Sequence, residues 1–359
     1  MPRAMRIARW VGLPLLGVLL LSLLSCAGGT TPTSTPTPTP RPVKVSLALD
    51  WYPNANHAGL YIAQERGYFE DEGLEVDIFT PGDPATVLQT VASGRDDFGI
   101  SYQVEVLLAR QEEVPVVSVM GLVQHPLNSV MALKSSGIDR PGELKGKTVG
   151  YPGIAYNVPM LETMLEHDGA SIEDVEMVNV GFNLVPALIG GKVDAVVGAY
   201  FTHESIVAEN QGHPVNVMRM EEWGVPDFYE LVLVTSEKNV RERPDVVRKF
   251  VRAVMRGYQD AMEDPQAAID ILVDAYPEAD EAVERPGIDL LVPLWKRGEP
   301  LRIVGPDGTE TLSWSDAFWG WQKEERWVEF AGWMKENGLL DPDVDAREAF
   351  TNECMPDIL

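Results

Sequence analysis

Cysteine is nearly absent: Cys26 and Cys354 are the only two in the sequence. A cysteine cluster for zinc or iron is therefore excluded, and at most one bridge is possible. Histidine is scarce too, and the residues at 57, 125, 167, 203 and 213 show no paired metal spacing. His203-Glu204 is not followed by the second histidine that a zinc-protease helix requires. No metal or other cofactor is expected. Basic charge is in deficit, with 29 Lys and Arg against 55 Asp and Glu and a formal net charge of −26. So acidic a surface repels phosphate backbones, which argues against nucleic acid as a partner. It leaves the ligand open, because one pocket can differ in sign from the whole surface.

What is present begins with Arg3, Arg6 and Arg9, no acid over residues 1–25, and an apolar run over 10–24. That run is too short and too one-sided for a membrane span, and the pattern is that of a secretory signal over 1–25. It ends in Leu23-Leu24-Ser25-Cys26, which resembles a bacterial lipobox, where the cysteine becomes lipid-modified and heads the mature chain. With Cys26 so used, Cys354 has no partner and no internal disulfide is expected. Residues 26–42 are almost wholly Gly, Thr, Ser and Pro, with Thr-Pro repeats over 31–40. Such a stretch buries no apolar surface and favours extended polyproline II, so it reads as a semi-rigid tether. A tether behind a lipid-bearing cysteine implies an extracytoplasmic domain held at a membrane without entering it.

The remaining chain, from residue 43, is about 317 residues long, enough for two domains. Apolar strand-like runs alternate with helical ones: a strand over 45–49, a helix over 58–67, a strand over 74–79, a helix over 86–93 and a strand from 98. This βαβα order predicts an α/β fold with mainly parallel sheets covered by helices. A second stretch repeats the plan, with a strand near 144–150, helices over 159–167 and 185–189, and a strand over 177–180. Gly94-Arg95-Asp96-Asp97-Phe98 and Gly191-Lys192-Val193-Asp194-Ala195 both read glycine, basic residue, one residue, aspartate, strand. Two lobes built to one plan is the simplest account. The apolar segments 130–133 and 229–235 bracket the second unit and are read as two crossover hinge strands. The expected layout is lobe 1 over 43–132, lobe 2 over 133–231, and a return to lobe 1 with a helical tail over 232–359.

The run Asp50-Trp51-Tyr52-Pro53-Asn54-Ala55-Asn56-His57, followed by Ala63-Gln64-Glu65-Arg66-Gly67-Tyr68-Phe69, resembles the family that joins fungal thiamin-pyrimidine synthases with bacterial ABC substrate-binding proteins. Gly150-Tyr151-Pro152-Gly153, Gly181-Phe182-Asn183-Leu184-Val185-Pro186 and Tyr229-Glu230-Leu231-Val232 strengthen the resemblance. It implies a two-lobe periplasmic-binding-protein type II fold. Among family members the set looks most like the binding proteins for N-formyl-4-amino-5-aminomethyl-2-methylpyrimidine, which implies a pyrimidine ligand and an ABC transporter permease as partners of a monomer. Riboflavin or another flat ring is the alternative ligand. The synthases of the family carry a cysteine-rich loop before the returning strand and use an active-site histidine as a sacrificial donor. Here that loop reads Gly224-Val225-Pro226-Asp227-Phe228-Tyr229-Glu230, without cysteine, a departure that favours binding over catalysis.

A pyrimidine offers flat π-faces and a polar edge. Trp51, just beyond the first strand, is the expected stacking platform, since ligands of α/β lobes sit at the carboxyl ends of strands. Asn54, Asn56 and His57 lie in the strand-to-helix turn, where Asn56 is the expected helix cap and Asn54 and His57 are ligand candidates. In the second lobe Tyr200 and Glu204 stand one helical turn apart, and the carboxylate suits an exocyclic amine. Tyr102, Tyr151, Tyr156 and Asn183 complete the candidates, Asn183 also as a cap. The tryptophans at 314, 319, 321, 327 and 333 are expected to pack against the first lobe rather than to bind ligand.

Overall fold

The computed structural model describes residues 41–181, 183–296, 301–304, 310–313 and 319–355. The signal, the lipobox with Cys26 and the Thr-Pro tether lie outside the described residues, apart from the last two positions of the tether. So do Phe182 and Trp314. No described helix is long and apolar enough to cross a membrane.

The chain opens with β1 (Val43–Ala48), α1 (Ala58–Glu65), α2 (Tyr68–Asp71), β2 (Leu74–Phe79), α3 (Val87–Ala92), β3 (Phe98–Ser101), α4 (Gln103–Gln111) and β4 (Val116–Val123). It continues with β5 (Asn128–Leu133), β6 (Thr148–Tyr151), α5 (Asn157–His167), β7 (Glu176–Asn179), α6 (Leu184–Ile189), β8 (Ala195–Tyr200), α7 (Glu204–Asn210) and β9 (Val215–Arg219). After β10 (Leu231–Ser236) come α8 (Glu237–Glu242), α9 (Pro244–Glu263), α10 (Pro265–Ala275), α11 (Glu281–Lys296), the hairpin β11 (Leu301–Val304) and β12 (Glu310–Ser313), and α12 (Glu324–Glu336).

Two mixed five-stranded sheets result, in the orders β2-β1-β3-β10-β4 and β7-β6-β8-β5-β9. In the first, every strand but β10 runs the same way. In the second, the odd strand is β5. The shared plan read from the sequence is thus visible strand by strand. The apolar segments expected to cross between lobes coincide with these two reversed strands, each of which lies inside the sheet it enters, save that Tyr229 and Glu230 precede β10. β5 already belongs to the second sheet from Asn128, upstream of residue 133. The chain passes between sheets at 124–127 and again at 220–230, outside the strands.

The first core gathers β1, β3 and β4 with α1, α9, α10 and α11. Helix α9 shows why: Val247, Phe250, Val251, Val254, Tyr258, Ala261 and Met262 recur three and four residues apart and are all buried, the stripe a core-facing helix needs. Trp319 joins this core, stacked on Tyr258 with ring centroids 4.5 Å apart, and Trp321 packs against it. Trp327 and Trp333 are set apart from this core, Trp333 against the expectation that these tryptophans pack on the first lobe. They lie in a second core that runs from α3 and α4 across to α5. The Trp333 indole N–H donates to Thr163 Oγ1 on α5 at 3.0 Å, so the second lobe supplies the acceptor for this buried ring. α12 therefore spans both lobes.

Candidate functional site

The first sheet delivers an acid to its carboxyl edge. Asp50, buried two residues past β1, takes His57 Nε2 on Oδ1 at 2.8 Å and the Tyr102 hydroxyl on Oδ2 at 2.8 Å. The loop between them is closed by a capping box: Asn54 Oδ1 accepts Asn56 N–H at 2.9 Å, and His57 Nδ1 accepts Asn54 N–H at 3.3 Å. The cap is Asn54 and not the expected Asn56, because the turn starts two residues earlier than that cap implies, at Ala55. Since Nδ1 accepts, the proton of a neutral imidazole sits on Nε2 and is donated to Asp50. Both ring nitrogens of His57 are thus engaged within the loop. Trp51 and Tyr52, next to Asp50, are exposed and stand edge to face at 6.1 Å.

The second sheet answers with Tyr200 at the end of β8. Its hydroxyl donates to Glu230 at 2.9 Å, an acid that is 1% exposed. The Glu204 carboxylate turns back to accept the Tyr200 N–H at 2.8 Å. Burial pushes its carboxyl above the ordinary range, and the neighbouring His203 opposes this. Tyr151 ends β6 half-buried, and the buried Tyr156 and Asn157 begin α5. Gly198, inside β8, has φ of +90°. A Cβ there would come 2.9 Å from Pro152 Cδ and 3.0 Å from Asn157 Oδ1, so only glycine lets this loop pack against the strand. Asn183 is exposed, and its side chain makes no cap bond to α6; the expected cap is not formed.

Three phenols and three carboxyls meet here. Burial first, and then nearby carboxylates, push the hydroxyls of Tyr102, Tyr156 and Tyr200 well above the usual phenol range. The charges involved are Asp50 and Glu105 for Tyr102, Glu230 and Glu105 for Tyr156, and Glu230 and Asp50 for Tyr200. Glu105 is itself raised by burial and accepts from Ser101 Oγ at 3.1 Å. Of the sequence candidates, His57, Tyr102, Tyr156, Tyr200 and Glu204 belong to this assembly or touch it, with Trp51 beside it. Asn183 is not joined to it by any hydrogen bond. Asp50, Glu105 and Glu230 were missed. Asp50 and Glu230 carry a legible signal, an acid flush against an apolar strand, where an unpaired charge is costly to bury.

Such a lining can hold a flat, polar-edged molecule. It offers tyrosine hydroxyls and carboxylates in a setting where each hydrogen bond counts for more than in water, with an exposed indole at its edge.

The family model described as NMT1/THI5 like matches residues 54–268. The chain belongs to that family. It is 38% identical to the formylaminopyrimidine-binding protein of Halalkalibacterium halodurans, over 93% of this chain and 97% of the relative. It is 31% identical to a 4-amino-5-hydroxymethyl-2-methylpyrimidine phosphate synthase of Aspergillus parasiticus, over 87% of each. Among solved structures, the periplasmic aliphatic sulphonate binding protein SsuA from Escherichia coli superposes with a TM-score of 0.63 at 14% identity, covering 87% of this chain and 92% of that one. The fold is thus the periplasmic-binding-protein one expected of this family. The family match begins at the capping Asn54 and ends in α10, so it takes in the Tyr102, Tyr156, Tyr200 and Glu230 positions but not Asp50 or Trp51.

Proposed function

We propose that the protein is the extracytoplasmic substrate-binding lipoprotein of an ABC importer, anchored through Cys26, and that it captures a thiamin pyrimidine precursor of the formylaminopyrimidine type. The observation that carries this reading is the pairing of tyrosine with buried carboxylate at both sheets, Tyr102 with Asp50 and Tyr200 with Glu230. An aminopyrimidine presents donors and acceptors along one edge of a flat ring, the chemistry such a lining accommodates. The near full-length similarity to a formylaminopyrimidine-binding protein supports the ligand class. Trp51 is the stacking face, and Glu204 meets the exocyclic amine once its bond to the Tyr200 N–H is shared.

A synthase is the second reading, because a relative of that name aligns over most of the chain. The cysteine-free loop over 224–230 weighs against it. A thermal-shift screen of the tether-free domain with formylaminopyrimidine, hydroxymethylpyrimidine, thiamin, riboflavin and alkylsulfonates tests the assignment. The aminopyrimidines are expected to stabilise the domain most; a response to riboflavin or a sulfonate alone would replace the ligand.

A further inference from the structure

Helix α11 contains Pro286-Gly287 in its interior, where glycine is normally unfavourable. A Cβ on Gly287 would sit 2.8 Å from the carbonyl oxygen of Thr202, 3.8 Å from Ile206 and 3.9 Å from Ala55. Thr202 and Ile206 flank the start of α7 in the second lobe, whereas Ala55 opens the turn after β1 in the first. This helix position therefore lies where the two lobes meet. One turn earlier, the buried Glu284 accepts the Ala55 N–H at 2.6 Å and faces His203 Nδ1 at 3.8 Å. Near the helix start, Ala282 O accepts from Asn210 Nδ2, at the far end of α7, at 3.0 Å. Ile288, Leu291, Leu294 and Trp295 fix α11 in the first core, so α11 moves with the first lobe and only touches the second.

We propose that the 284–287 turn of α11 is the latch that holds the lobes together around a bound ligand, with Glu284 as its positioning residue. Glu284 bonds the backbone of the loop that carries Asn54 and His57, and its carboxyl stands 3.8 Å from the imidazole of His203, the residue next to Glu204. It thereby sets the two halves of the cleft against each other without touching ligand. Gly287 makes the approach possible, since any side chain there would strike Thr202 before the lobes met. Opening breaks the contacts to His203, Asn210 and Thr202, and a ligand that bridges the lobes keeps them made. The inference rests on the reading of the cleft as a ligand site.

Gly287→Ala adds one methyl at the meeting point, and alanine suits a helix better than glycine, so the fold itself is not expected to weaken. Stopped-flow release is measured for the parent, Gly287→Ala, Glu284→Ala and Glu284→Gln. The probe is N-formyl-4-amino-5-aminomethyl-2-methylpyrimidine, or riboflavin if the parent binds only that. Dissociation is expected to quicken by roughly five- to tenfold in both alanine variants, with association and thermal midpoint of Gly287→Ala preserved. Glu284→Gln retains an acceptor for Ala55 but loses the charge facing His203, and should fall in between. In that background, adding His203→Gln should change nothing further, as expected of a coupled pair. Release at the parent rate from both alanine variants would overturn the latch. A parent that ignores the pyrimidine but binds riboflavin would count against the ligand assignment alone, and one that binds neither would overturn both.

Discussion

Tyr200 donates to Glu230 at 2.9 Å, and this one bond ties the end of β8 to the link that leads back into the first sheet. The same carboxylate accepts the N–H groups of Leu127 at 2.7 Å and Asn128 at 3.1 Å, and Asn128 Nδ2 at 2.9 Å. Leu127 and Asn128 close the other passage between the sheets. Glu230 thus joins both links, with its buried charge met by donors from each side, as such a charge requires.

Tyr200→Phe removes one of these donors and leaves the carboxylate less well satisfied. The expected loss of stability is about 1.5–3 kcal/mol, the range for hydrogen bonds to charged groups. Urea unfolding of parent and variant measures it; identical midpoints and slopes would mean that the hydroxyl contributes nothing to the hinge.

The pH dependence has a definite sign. Burial raises the Glu230 carboxyl above its ordinary value of 4.5, and the hydrogen bonds from Leu127, Asn128 and Tyr200 pull it back only in part. Between the ordinary and the raised value the folded state holds the proton more tightly than the unfolded one. This contribution is therefore full below the ordinary value and lost as pH rises through the raised one. Glu230→Gln has no such group, so the stability of the variant relative to the parent should improve from pH 4.5 towards neutrality. A difference that stays flat across unfolding curves at successive pH values would refute the assignment.

The alternation of strands and helices was legible because each element carries its own periodicity, as β2 over Leu74–Phe79 and α6 near Leu184–Ile189 show. The hinge acid was legible only as an acid set against an apolar strand, and its partners were not. Glu230 reads as a polar residue at the start of an apolar strand, and its partner Leu127 is 103 positions away. Glu204 was legible in position, four residues after Tyr200, while the turn of its carboxylate back to that residue's N–H depends on geometry that spacing leaves free. The cap was misplaced because Asn54 and Asn56 are equally good capping residues, and which one serves is decided by where the first turn begins.

Both ring nitrogens of His57 are engaged, by Asp50 and by the Asn54 N–H. A formylaminopyrimidine incubated with the protein and iron is therefore expected to be recovered unchanged, with His57 intact by mass spectrometry. Oxidative loss of that residue alongside a new pyrimidine product would restore the synthase reading.

The last expectation concerns where binding energy resides. Trp51 follows the first sheet and Glu204 opens α7 beyond the second, so a ligand that stacks on one and bonds the other bridges the lobes. Trp51→Ala removes the stacking face and should weaken binding by about 1–3 kcal/mol, by analogy with base–aromatic stacking. Glu204→Gln keeps an oxygen for the Tyr200 N–H, so the strand end should hold, but it loses the charge that favours an amine, at a cost on the order of 1.5–3 kcal/mol. Trp319→Ala is the contrasting case: its ring is buried against Tyr258, and truncation should cost about 3–5 kcal/mol of stability through the cavity it leaves. Isothermal titration and thermal unfolding of the three variants separate these roles. Parent-like affinity in both cleft variants, with binding lost in a folded Trp319→Ala, would move the site from the cleft to the tail.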